Sequence, residues 1–225
     1  MIEKPGTAKT FQSGQIGKMT LKNRFVMPPM GTNFASEDGR VTRQLLDFYE
    51  ARASGGAGLV IVEVTCVDTP VGKGLGRELA IDDDLFLPGL SELAEVVKRQ
   101  GACAAIQLHH AGIDARPSVT GVQAVGPSAI RMPTPGHEKA RDLTVSEIHT
   151  LVDSFTHAAL RAKRAGFDAV EIHGAHPYLL AQFASAAWNK REDDYGGELK
   201  NRARFLIEII KSIKQTIGSD FPVWP

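Results

Sequence analysis

"AGLVIVEVT" (Ala57–Thr65) is an unbroken apolar and β-branched run until Glu63, the pattern of a strand buried on both faces of a parallel sheet. Its flanks show how such strands are joined. Upstream, "TRQLLDFYEARAS" (Thr42–Ser54) reads as a helix ended by Gly55-Gly56, and before it "RFVMPPM" (Arg24–Met30) reads as a short strand stopped by two prolines. Downstream, "LPGLSELAEVVKRQ" (Leu87–Gln100) places Leu90, Leu93, Ala94 and Val97 on one helical stripe and ends at Gly101. "CAAIQL" (Cys103–Leu108) is the next buried strand. Residues 111–142 are rich in Pro and Gly and lack periodicity, as functional or disordered loops of that length do.

Thr144 and Glu147 then form a capping box for a helix with its stripe at Ile148, Leu151, Val152, Phe155, Ala159 and Ala162, closed by Gly166. "FDAVEIH" (Phe167–His173) is the fourth strand, residues 201–217 form a helix with Leu206, Ile209, Ile210 and Ile213 inward, and "FPVWP" (Phe221–Pro225) starts a fifth strand. Strands alternating with helices predict a parallel sheet with right-handed crossovers, which fits both doubly wound sheets and barrels. Two Gly-rich pieces, Gly55–Gly58 and Gly72–Arg77, lack the strand-to-helix context of a phosphate cradle and read as turns.

Bulk properties exclude several functions. Lys+Arg and Asp+Glu balance at 26 each, so no overall field draws the chain to nucleic acid or anionic membrane. No apolar run is long enough to span a bilayer, and residues 1–18 lack a signal-peptide core, so a cytoplasmic location is expected. Cys66 and Cys103 lie in strand-like segments and read as inert thiols; two cysteines cannot hold an iron–sulfur cluster from this chain alone.

Chemistry is concentrated where polar residues interrupt strand ends. Glu63, Gln107 and His173 each sit near the C-terminal end of a different strand, the face on which barrel enzymes build their sites. His173 and His176, in "VEIHGAHPYLLAQF" (Val170–Phe183), admit three readings. A zinc site lacks a third ligand and a nearby glutamate base. Pairing to backbone at a turn is the bland reading. In the third, two N–H donors converge on an oxygen that gains negative charge, with Tyr178 as a nearby phenolic proton donor. Pro177 suits the first position of the following helix, which makes His176 the N-cap.

With these residues in hand, the chain resembles the old yellow enzyme family from about Gly14 onward, closest to its bacterial NADH:flavin oxidoreductase and 2,4-dienoyl-CoA reductase branch. The resemblance rests on "LKNRFVMPPM" (Leu21–Met30), "QLHHAG" (Gln107–Gly112), "GPSAI" (Gly126–Ile130), "EIHGAHPYLLAQF" (Glu171–Phe183) and "NKREDDYGGELKNRARF" (Asn189–Phe205), in order. It implies a (β/α)8 TIM barrel carrying FMN across the strand C-termini, as one domain over residues 1–225. Pro29, Met30 and Gly31 would lie against the flavin, Val64 would approach it through backbone, and Gln107 would bond its pyrimidine edge. His173 and His176 would bind the oxygen of a small-molecule substrate, and Tyr178 would protonate it. FMN charged by NADH or NADPH would deliver hydride to an activated C=C of an enone, enoate or dienoyl thioester.

Three departures carry expectations of their own. Gly31 stands where many members place a Thr or Cys that tunes the flavin, leaving Thr32 as the nearest hydroxyl. Pro177 stands where glycine is usual. A whole barrel takes about 250 residues, whereas these 225 residues cover four βα units and the start of a fifth strand. The chain by itself is therefore expected to bind FMN poorly or to need a complementing C-terminal half or self-association, the alternative being an inactive fragment. An isomerase or aldolase barrel has no support, since no lysine lies on a strand for a Schiff base.

Overall fold

The computed structural model describes residues 8–225; the first seven residues of the segment read above for a signal peptide lie outside the described residues. The backbone alternates β1 (Val26–Met27), α1 (Arg43–Ser54), β2 (Leu59–Cys66), α2 (Leu87–Arg99), β3 (Cys103–His109), α3 (Val145–Arg164), β4 (Ala169–Ile172), α4 (Arg204–Ile217) and β5 (Val223–Trp224). All neighbouring pairs are parallel, and the order across the sheet is β1-β2-β3-β4-β5, the order of the sequence itself. That order decides between the two folds left open above. A doubly wound sheet reverses direction at a switch point, whereas a barrel adds each strand beside the last.

The first three helices form where their caps and stripes predict; the last, expected from residue 201, starts at Arg204 after a separate turn at Leu199–Arg202. Thr42 caps α1 through its side chain, and the Thr144–Glu147 capping box opens α3 with both reciprocal bonds made. Arg141 bonds the same Glu147 carboxylate and, with the cap, holds it down to about 2. The first strand is shorter than the sequence suggested, because Pro28 and Pro29 leave only Val26 and Met27 to pair with β2. The Pro/Gly-rich stretch contains a two-residue pairing of Val125–Gly126 with Arg141–Asp142, too short for any periodicity to show.

Side chains alternate across the sheet. Val60 and Val62 of β2 face outward into a core with Leu45, Tyr49, Leu93 and Val97. Leu59 and Ile61 face the other way and meet Ala105 and Ala169, with Met19 and Leu21 of an antiparallel hairpin (Gly14–Ile16 with Met19–Leu21) plugging the N-terminal end. The two-faced burial is what the unbroken apolar run of β2 anticipates. A register shift between Val62 and Val64 breaks the alternation. It turns Glu63 outward and Val64 inward, and so decides which of them reaches the site.

No helix among the described residues is long and apolar enough to cross a membrane. Cys66 is buried, and burial pushes its thiol up; Cys103 is only half-buried.

Candidate active site

A cavity of about 940 Å³ opens at the C-terminal ends of the strands. This is a size suited to a cofactor or drug-sized ligand. All eight site residues singled out from sequence line it. Pro29, Met30 and Gly31 come from the segment after β1, Val64 from the shifted end of β2, and Gln107 from β3; His173, His176 and Tyr178 follow β4. The prolines that end β1 leave Met30 59% exposed at the cavity rather than packed in the core.

Gln107 is oriented by a neighbour that sequence reading missed. Its Nε2 donates to Glu171 Oε1 at 2.6 Å, and Trp224 Nε1 donates to Glu171 Oε2 at 2.7 Å. With its NH₂ group engaged there, the amide oxygen is the part left to accept from a ligand N–H. Glu171 was legible in principle, since it lies two residues before His173 and so shares its strand face.

The two histidines meet at the rim of the cavity. His173 is 7% exposed, and its Nδ1 accepts the Ala175 N–H at 3.3 Å, which leaves the proton of the neutral ring on Nε2. That Nε2 donates to His176 Nδ1 at 3.3 Å, so the two rings are bonded to each other at the cavity. Two nitrogens so spaced can both reach one oxygen at about 2.9 Å. Burial first, then the His109 and His176 rings, lowers the His173 pKa from 6.5 to about 4. At neutral pH His173 is therefore an uncharged donor. A ring-nitrogen NMR titration is expected to put its midpoint near 4; a midpoint at the ordinary 6.5 contradicts the geometry.

Tyr178 packs edge-to-face on three imidazoles, with ring centroids 4.5 Å from His109, 4.8 Å from His173 and 5.9 Å from His176. Burial, then the negative charges of Asp114 and Glu78, raises its pKa, so it holds its proton at neutral pH.

Local structure corrects three expectations. Pro177 is not the first helical residue and His176 is not the N-cap: the helix runs Leu179–Ala184, and Tyr178 is its N-cap with extended backbone. His176 sits at φ +53°, a left-handed conformation uncommon outside glycine and associated with functional sites. The proline keeps it out of the right-handed helical region, and the helix begins two residues after the proline. Glu63, grouped above with the strand-end residues, is fully buried on the outer side, bonded to Thr32 and Tyr49. Thr32 therefore cannot stand in for a residue at position 31, because its hydroxyl is committed to Glu63 at 2.7 Å. A Cβ on Gly31 would lie 2.9 Å from Leu75 Cδ1 and displace that side-chain tip, which reaches into the cavity from the loop read above only as turns.

Comparison with known proteins agrees with this geometry. Residues 9–224 match the NADH:flavin oxidoreductase / NADH oxidase family. The chain is 47% identical over 214 residues to the NADH oxidase of Thermoanaerobacter brockii, covering 95% of this chain and 33% of that protein. It superposes on a 2-naphthoyl-CoA reductase with a TM-score of 0.94 at 31% identity, covering 97% of this chain and 35% of that one. On the old yellow enzyme homologue from Zymomonas mobilis the TM-score is 0.91 at 32% identity, with 96% and 62% covered. Among four curated relatives the share spanned is 31% to 62% of their length. The sheet is accordingly four βα units and the start of a fifth strand of a barrel. The chain belongs to the NADH:flavin oxidoreductase / NADH oxidase family, the family of the old yellow enzymes.

Proposed function

We propose that the chain carries the substrate clamp and one wall of the flavin site of an FMN-dependent ene-reductase, and that residues 1–225 are part of one barrel domain completed by a complementing half. The observation that carries this is the convergence of His173 Nε2 and His176 Nδ1, 3.3 Å apart, beside Tyr178 at one cavity.

The residues present fit a flavin. Pro29, Met30 and Gly31 give an apolar surface, and Val64 and Gln107 bound the same space. The Gln107 amide, its NH₂ held by Glu171, offers an acceptor suited to a lactam N–H. When bound and reduced by NADH or NADPH, FMN supplies the hydride for the β-carbon of an activated alkene.

The chain's own residues do the rest. A carbonyl oxygen conjugated with the alkene replaces the bond between the rings: His173 Nε2–H and the Nδ1–H tautomer of His176 donate to it and stabilise the negative charge that develops on it. A neutral His173 does this without surrendering its proton, because a ring with a pKa near 4 is uncharged at pH 7. Tyr178 gives its phenolic proton to the α-carbon, a site far more basic than a phenolate. The buried rings of His109 and His173 keep the Tyr178 ring in place through edge contacts.

The test is reconstitution. The chain, with and without a complementing C-terminal half of a relative, is mixed with FMN and assayed for NAD(P)H-dependent reduction of cyclohex-2-enone. Yellow protein and turnover with the complementing half support the reading. Flavin binding without any alkene turnover would favour the inactive-fragment alternative.

A further inference from the structure

Glu78 and His109 form a buried pair that the reaction above does not use. Glu78 is completely buried, and all its contacts are made as an acceptor. Its Oε2 takes the N–H groups of Gly74 at 2.7 Å and Leu75 at 3.0 Å, and its Oε1 meets His109 Nδ1 at 2.8 Å. Each oxygen serves a different part of the site.

The first is the loop Gly72–Arg77. Its ends are moored to the segment after β1: Lys73 Nζ donates to the Glu37 carbonyl at 3.0 Å, and the Arg77 N–H donates to Asn33 Oδ1 at 2.7 Å. Between those moorings, the Glu78 carboxylate fixes the backbone of Leu75, whose side chain lies where a side chain on residue 31 would point. The second is the His109 ring. A carboxylate on Nδ1 sets the tautomer and orientation of an imidazole. His109 is 1% exposed, its ring centroid is 4.5 Å from Tyr178 and 5.5 Å from His173, and its Nε2 is buried without a partner. With the proton on Nδ1, that Nε2 is a bare lone pair beside the clamp.

We propose that Glu78 is the positioning residue of the site, one buried carboxylate that sets both the loop placing Leu75 over Gly31 and the His109 ring backing Tyr178 and His173. Its consequence for catalysis rests on the roles given to His173 and Tyr178 above. Its geometry does not, and the experiment therefore uses readouts that need neither flavin nor substrate.

Glu78→Gln cannot reproduce both contacts. With its oxygen toward His109, its NH₂ faces two backbone donors; with its oxygen toward the loop, its NH₂ faces Nδ1 and forces the other tautomer. In the wild-type chain, ring-nitrogen NMR is expected to show His109 as a single Nδ1–H tautomer, with slow hydrogen exchange at Gly74 and Leu75. In Glu78→Gln, those two amides are expected to exchange about tenfold faster or the His109 tautomer to invert, the tenfold being the worth of one charge-assisted hydrogen bond. An unchanged tautomer together with unchanged exchange overturns the proposal.

If Glu78→Gln does not fold, His109→Gln decides. It removes the ring while leaving Glu78 its loop contacts. Without His109, the Tyr178 and His173 ring signals are expected to shift, with Gly74 and Leu75 still protected. Loss of protection at Gly74 and Leu75 in this variant overturns the assignment, since the loop would then depend on the ring and not on the Glu78 carboxylate.

Discussion

Tyr178→Phe is expected to slow alkene reduction by about 10²- to 10⁴-fold, the range that one positioned general acid contributes. Reduction of the flavin by NAD(P)H is expected to continue at the wild-type rate in the same reconstituted protein. The substitution removes one oxygen and leaves the ring, so the edge contacts with His109, His173 and His176 survive. Burial and the nearby Asp114 and Glu78 carboxylates hold the hydroxyl in its protonated form, which is the form the reaction consumes. Rapid-mixing measurement of the two half-reactions separates the effects. Equal slowing of both points to damaged packing, and no slowing of either removes Tyr178 from the mechanism.

Glu63→Leu is expected to cost about 3 kcal/mol of folding stability, read as a lower urea midpoint with an unchanged m-value. Leucine is close in volume, so the loss comes from polar groups left behind. The carboxylate now accepts from the Thr32 N–H at 3.1 Å, the Thr32 hydroxyl at 2.7 Å and the Tyr49 hydroxyl at 3.1 Å, while the Tyr49 oxygen takes the Glu63 N–H at 2.8 Å. Leucine strands those donors beside Tyr49, which is fully buried. It also frees Thr32, next to Gly31 at the cavity.

The pH dependence has a definite sign. Burial raises the Glu63 pKa above its ordinary 4.5 despite the donors around it. A raised carboxyl contributes stability that is complete below the unfolded value, near pH 4.5, and is lost as pH rises through the folded pKa. The penalty of Glu63→Leu is therefore expected to be larger in mild acid than at neutral pH. Glu63→Gln, which imitates the protonated acid, is expected to cost much less throughout.

The fold was legible because its signals are periodic. Unbroken apolar strands, helical stripes and the Thr144–Glu147 box each carry local free energy, and β2 and α3 formed where predicted. Strand order was not legible from periodicity, since pairing between β2 and β3 is a long-range choice; only the resemblance pointed to a barrel. The cavity residues were legible where they interrupt a strand end, as Gln107 and His173 do. Glu63 follows the same pattern yet faces away, because a single register shift after Val62 exchanges the two faces of β2.

Glu78 and Leu75 gave no signal at all. They act through a loop without periodicity, and their partners lie more than thirty residues away in His109 and Gly31. The conformation of His176 was hidden for a related reason. Proline at 177 says where that backbone cannot go, but the left-handed choice depends on packing: the buried Gln182 amide donates to the Pro177 and Ala111 carbonyls and accepts from the Ile113 N–H.

The central claim is that the cavity over Gln107 is the flavin site and that the histidine clamp faces it. FMN titration of the reconstituted protein, followed by flavin absorbance, tests this most directly when wild type is set beside Gln107→Leu. Wild type is expected to show saturable binding with a perturbed flavin spectrum, and Gln107→Leu to bind at least about tenfold more weakly, since the half-buried Glu171 also loses one of its two donors. Equal affinity and identical bound spectra in the two proteins would contradict the account, because the flavin would then lie somewhere other than this cavity.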